Sequence, residues 1–191
     1  MPHNKVFMQK MRLILSAMVF TTASVTLLPA VAQAQGGLPF PFQGAMAVTA
    51  TANPNTGNVT YCGGKPFSLA AEAHGNGFTT LGALTFSFNK TASVPGGMHG
   101  CATLTATNGD TLSATYDGTA GTPDANGFAP GNGTLTITGG TGKFKDATGT
   151  LNFSVVFLLV YPGAVPSGLP PAPLAYVSAF YTIDGTVFLH L

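Results

Sequence analysis

Asparagine–glycine and aspartate–glycine pairs recur along this chain, at Asn76-Gly77, Asn108-Gly109, Asp117-Gly118, Asn126-Gly127, Asn132-Gly133 and Asp184-Gly185. Such pairs reach positive φ at little cost and close tight hairpins, so they point to antiparallel strands. The runs between them are rich in Thr, Val, Phe and Leu: Ala45 to Ala52, Val59 to Cys62, Phe67 to His74, Leu81 to Lys90, His99 to Thr107, Thr111 to Asp117, Gly133 to Thr138, Thr150 to Val160, and Ala175 to Leu191 with a break at Asp184-Gly185. After the first 34 residues no stretch carries a helical period. The expected class is all-β, an antiparallel meander closed as a barrel or folded as a sandwich.

The N-terminus reads differently. Lys5, Lys10 and Arg12 precede an apolar run from Leu13 to Leu28, then Pro29 and Ala32-Gln33-Ala34. This is the layout of a secretory signal peptide with an A-x-A cleavage site, and the run is shorter than the ~20 apolar residues of a membrane span. The reading assigns residues 1–34 to the leader and 35–191 to a single β-barrel domain, exported to the periplasm or secreted. Gln35 follows the site, so no cysteine is placed for a lipid anchor.

Of the 7 Lys and Arg residues in the chain, only Lys65, Lys90, Lys143 and Lys145 follow the leader. They face Glu72, Asp110, Asp117, Asp124, Asp146 and Asp184, a weakly acidic balance with no arginine. Nucleic-acid binding needs clustered basic side chains to displace counterions, and that class is excluded. An outer-membrane barrel is also set aside, because the chain has no Trp and few Tyr for aromatic girdles and its apparent strands are mostly shorter than a ~9 to 11 residue span. Cys62 and Cys101 are the only cysteines. In an exported chain they are expected to form one disulfide, two isolated buried thiols being the alternative. No ligand spacing for a metal and no cofactor motif is present.

Two strands can be read in more detail. In "GCATLTATNGDTLSATYDG" a three-residue Thr107-Asn108-Gly109 loop with Gly109 left-handed pairs Leu104 with Leu112 and Ala102 with Ala114, whereas a two-residue turn would set apolar against polar side chains. The preferred register places His99, Cys101, Thr103 and Thr105 on the polar face. Cys62 sides with Thr60, so both cysteines are expected on threonine-rich strand faces, bridged across a barrel exterior. The run "LNFSVVFLLVY" is apolar on both faces and must be covered on both. Candidate covers are "PGAVPSGLPPAP" (Pro162 to Pro173), read as a stiff excursion at the barrel rim, the N-terminal "GGLPFPFQG", or another subunit.

The glycine-rich stretch "ITGGTGKFKDATGTL" is not a phosphate cradle. Counting from Gly142-Lys143 puts Ile137 and Phe144 where a P-loop needs Gly and Ser or Thr, and Lys145 stands where the dinucleotide motif needs its third glycine. Gly139, Gly140 and Gly142 instead allow a sharp turn, Phe144 serves as an apolar plug, and Gly149 lets the chain re-enter a strand. This pattern, G-G-T-G-x-F-x-x-A-x-G before an apolar strand, resembles the allene oxide cyclase and dirigent group, and looks like that of its exported bacterial relatives with no assigned role. The preceding hairpin is similar more loosely. The resemblance implies a closed, calycin-like barrel of eight antiparallel strands with an apolar pocket, assembled as a trimer, in which Gly139, Gly140, Gly142, Phe144 and Gly149 are architectural. Dirigent proteins steer phenolic radical coupling with polar and charged pocket groups, and their positions do not map onto this chain.

Glu72 and His74 share one face of "FSLAAEAHG" and could act as a carboxylate–imidazole pair. Polar residues on an alternating strand ordinarily face water, and that reading is preferred for both. His99 beside Gly96-Gly97 is likewise read as a rim residue. No G-x-S-x-G elbow is present. The leading expectation is an exported barrel that binds a small hydrophobic molecule in an apolar lumen without catalysis. The alternatives are an allene oxide cyclase-like isomerase or dirigent-like enzyme, and a structural surface component. Polar groups converging in the lumen would favour the enzyme, an apolar cavity the carrier, and a filled interior the structural role.

Overall fold

The computed structural model describes residues 37–160 and 175–190; the leader and the proline-rich stretch Pro162 to Pro173 lie outside the described residues. Eight strands, β1 (Leu38–Pro54), β2 (Leu69–Thr79), β3 (Gly82–Ala92), β4 (Gly96–Ala106), β5 (Thr111–Ala120), β6 (Phe128–Gly140), β7 (Thr148–Val160) and β8 (Ala175–Leu189), follow one another around a closed barrel. Every neighbouring pair is antiparallel, and β8 closes onto β1 over the whole run from Leu38↔Leu189 to Ala52↔Ala175.

Period-two alternation sets the two faces. On β4, Met98, Gly100, Ala102, Leu104 and Ala106 are buried, while His99, Cys101, Thr103 and Thr105 lie on the less buried face. The β4–β5 register is Leu104↔Leu112 and Ala102↔Ala114, with Gly109 at φ 89°, as the three-residue loop requires. On β7, Phe153, Val155, Phe157 and Leu159 turn inward and Val156 and Val160 stay exposed. Apolar side chains thus fill the inside, while the outside carries threonines together with exposed apolar side chains such as Phe128, Val156, Val160, Tyr176 and Phe180, so the outer face of β7, expected to be covered, is open among the described residues.

Several expectations need correction. Val59 to Cys62 is not a strand but part of the β1–β2 connection. Its alternation is overridden by side-chain bonds, in which Asn55 Nδ2 donates to the carbonyls of Val59 and Phe67 and Asn55 Oδ1 accepts from the Val59 N–H. The break at Asp184-Gly185 is absent, because β7 and β1 both pair across it. β6 begins at Phe128, and strands run from 10 to 17 residues, so strand length does not count against a membrane span. Among the described residues no helix is long and apolar enough to cross a membrane.

"GGLPFPFQG", one of the three candidate covers, supplies the start of β1. Pro39 and Pro41 are tolerated there for a geometric reason. Gln43, two residues on, turns its N–H and C=O toward Thr80 on the β2 side, and the prolines share that side, where the β2 ladder has not yet begun.

Candidate functional site in the lumen

Alternation along β3 puts Leu84, Phe86, Phe88, Lys90 and Ala92 on the inward face, so a lysine enters the interior with only 7% of its surface exposed. By the same parity β5 sends Tyr116 inward after Leu112 and Ala114, and β8 sends Tyr181 inward between Ala179 and Ile183. These three strands are not neighbours in the sheet, and the side chains meet across the lumen. Lys90 Nζ donates to Tyr181 Oη at 3.4 Å, the two tyrosine hydroxyls lie 3.4 Å apart, and Tyr116 Oη reaches Met98 Sδ at 3.7 Å.

Aromatic rings hold this trio. Tyr116 stacks on Phe153 with centroids 4.7 Å apart, Phe88 meets Tyr116 edge-on at 5.5 Å and stacks on Tyr181 at 5.8 Å, and Phe157 sets its edge to Tyr181 at 6.1 Å. The Lys90 amino group lies 5.2 Å from the Tyr116 ring centroid and 5.0 Å from that of Phe157, in cation–π geometry. Burial first, then Tyr181 beside it, holds the Tyr116 phenol well above its ordinary 10.0, which favours the protonated form.

The middle of the barrel is therefore packed rather than hollow. A cavity of about 30 Å³ remains toward the end where β1, β3 and β7 finish, bordered by Lys90, Met98 and Phe157 and walled by apolar residues including Ala50, Ala52, Ala71 and Val177. Met98 and Phe157 belong both to this cavity and to the surroundings of the trio. The acids lie on the outer wall or in turns, so among the described residues no carboxylate reaches the lumen. The described residues also hold no cluster of metal-ligating side chains.

The polar residues singled out from sequence stand elsewhere. Glu72 and His74 do share a face, but it is the exposed outer face of β2, opposite Asn89 and Ser87 of β3. His99 is on the outer wall too, where Nδ1 meets Asp117 Oδ1 at 2.5 Å and Nε2 faces the Cys62 carbonyl at 3.4 Å. With both ring nitrogens engaged, neither is turned to a nucleophile. Lys90, Tyr116 and Tyr181 were not singled out. Strand parity was the available signal, since Lys90 alternates in phase with Phe86 and Phe88.

His99 belongs to a strap. Cys62 and Cys101 form a disulfide with Cα atoms 5.6 Å apart, Cys101 from the outer face of β4 as expected and Cys62 from the connection at φ 49°. Two residues of β4 further back, the His99 ring lies on Gly64, and two more back the Phe67 ring lies on Gly97, where any Cβ would collide with it. Thr91 Oγ1, fully buried, donates to the Lys65 carbonyl at 2.6 Å. The β1–β2 connection is thereby fastened along the outside of β3 and β4.

The glycine turn lies at the opposite end. A single 3₁₀ turn, Gly142–Phe144, follows Gly139 and Gly140, and Phe144 is buried in the main core while Lys143, Lys145 and Asp146 are exposed. Gly149 falls just inside β7. No family model matches the chain, and no curated protein matches it. Among solved structures it is similar to that of a pterocarpan synthase dirigent protein, at 12% identity and a TM-score of 0.39 over 78% of this chain and 86% of that one.

Proposed function

We propose that the barrel binds one small, largely apolar molecule at the mouth of its lumen and does not transform it. The observation behind this is the apolar cavity of about 30 Å³ at that end of the barrel, where small side chains at Ala50, Ala52 and Ala71 leave space. Its wall is apolar, as the lining of small-molecule sites predominantly is. The packed aromatic interior below limits the ligand to the mouth.

Two alternatives draw on particular features. The polar trio favours an isomerase or cyclase, whose chemistry would have to run on Lys90 and the tyrosines without a lumen carboxylate. The filled interior favours a structural component. A fluorescence titration with the neutral probe N-phenyl-1-naphthylamine separates them. Binding that is lost in Ala52→Leu, with melting temperature preserved, is the expected result. A parent protein that leaves the probe dark would sink the binding reading in favour of the structural one.

A further inference from the structure

His99 stands between two groups that can only accept. Its Nδ1 meets Asp117 Oδ1 of β5 at 2.5 Å, and its Nε2 faces the main-chain carbonyl of Cys62 in the strap at 3.4 Å. An ionised carboxylate and a carbonyl both need a donated proton, and a neutral imidazole has one N–H for its two nitrogens. Given to Asp117, that proton leaves the Nε2 lone pair opposed to the Cys62 oxygen. Given to Cys62, it leaves the Nδ1 lone pair opposed to the carboxylate. The imidazolium alone donates to both. Nor is the ring free to turn away, because it lies against Gly64 of the strap and its side chain is only 16% exposed.

We infer that His99 is an acid-tightened latch on the strap, its charged ring tying Asp117 of β5 to the Cys62 carbonyl and its neutral ring releasing one of those two ends. Asp117 is 58% exposed, so water screens its charge, and the contact that changes most is the one to Cys62. The groove beside the ring is bordered by Thr119 of β5 and Thr134 of β6, and by Lys65 of the strap, which is its other charged side chain among the described residues. The remaining fastenings are the Cys62–Cys101 disulfide, the Thr91 hydroxyl on the Lys65 carbonyl and the Phe67 ring on Gly97. None of these contains a group that gains or loses a proton near neutrality, so among the described residues His99 is the strap's pH-dependent member.

Hydrogen exchange followed by NMR tests the inference, with each rate divided by its value for an unstructured chain so that the pH dependence of exchange itself drops out. The amides of Gly64 and Phe67, bonded to the carbonyls of Tyr61 and Lys65, report on the strap. The Phe144 amide, bonded to the Thr141 carbonyl in the turn at the opposite end, is the reference. The strap amides should be about ten-fold better protected at about pH 5.5 than at about pH 7.5, either side of the ordinary histidine range, while Phe144 stays level. His99→Gln keeps a donor but cannot take up a proton, and the disulfide still tethers its strap. In that variant the two pH values should give the same strap protection. A parent whose strap amides change no more than Phe144 does, or a difference that survives in His99→Gln, overturns the latch.

Discussion

At the scale of single residues, the corner where the β4–β5 and β6–β7 connections meet shows how a few atoms fix a turn. Asp110 accepts from Asn108 Nδ2 at 2.8 Å and from the Lys143 N–H at 3.2 Å, and Gly142 sits at φ 55° so close to that carboxylate that a Cβ would overlap it. Gly142→Val should therefore cost at least the ~1 to 3 kcal/mol of a strained backbone position, read as a lowered melting temperature. An unchanged melting temperature would remove Gly142 from the architecture. The same donors, Asn108 first and Lys143 second, hold the Asp110 carboxyl below its ordinary 3.8. A group whose folded value is depressed stabilises fully above 3.8 and loses that contribution as pH falls through the lower folded value. The difference in melting temperature between the parent and Asp110→Ala should accordingly be constant near neutrality and shrink on acidification below 3.8. A gap that stays constant down to pH ~2 would mean that these donors do not favour the ionised form.

At the scale of elements, the strap and the lumen trio differ in what local sequence could convey. The β4–β5 register was legible because a hairpin is decided by neighbours, with Leu104, Leu112 and Gly109 all within one hairpin. The buried Phe144 was legible for the same reason. Cys62 was misplaced on a strand because the partners that hold its connection, Thr91, Gly97, His99 and Cys101, are distant in sequence, and four residues of alternation cannot compete with them. Lys90, Tyr116 and Tyr181 were each assignable to an inward face by parity. Their meeting was not, since β3, β5 and β8 face one another only after the barrel closes. Cys62 and Cys101 are 39 positions apart, and reducing a bridge over a loop of that size should cost about 2 to 4 kcal/mol. Chemical denaturation of the parent against Cys62→Ser/Cys101→Ser measures this. Coincident unfolding curves would show that His99, Thr91 and Phe67 hold the strap unaided.

At the scale of the whole molecule, an up-and-down barrel has a symmetry of connection that a linear chain hides. Seven of the eight ladders join consecutive strands, and the eighth, β8 to β1, joins the ends with a register as continuous as the rest. The two prolines near the start of β1 fit this seam because their missing donors fall on the side without a ladder partner. Nothing in the pairing makes the β1–β8 seam a privileged place to open the ring. A circular permutant of residues 37–190, with a short Gly-Ser linker from His190 to Gly37 and new ends between Ala125 and Asn126, should therefore keep the barrel. The cut lies in an exposed connection, beside the Asn126 and Phe128 N–H groups that the Asp124 carboxylate caps. Permutation exchanges one closure for another of similar length, and loop-closure entropy changes slowly with length, so the expected change in stability is within about 1 kcal/mol. Circular dichroism and denaturant unfolding give the comparison. A permutant that is unfolded, or weaker by several kcal/mol, would show that the native ends hold the barrel shut in a way its ladder does not reveal, and that β1 and β8 act as a nucleus on which the other strands assemble.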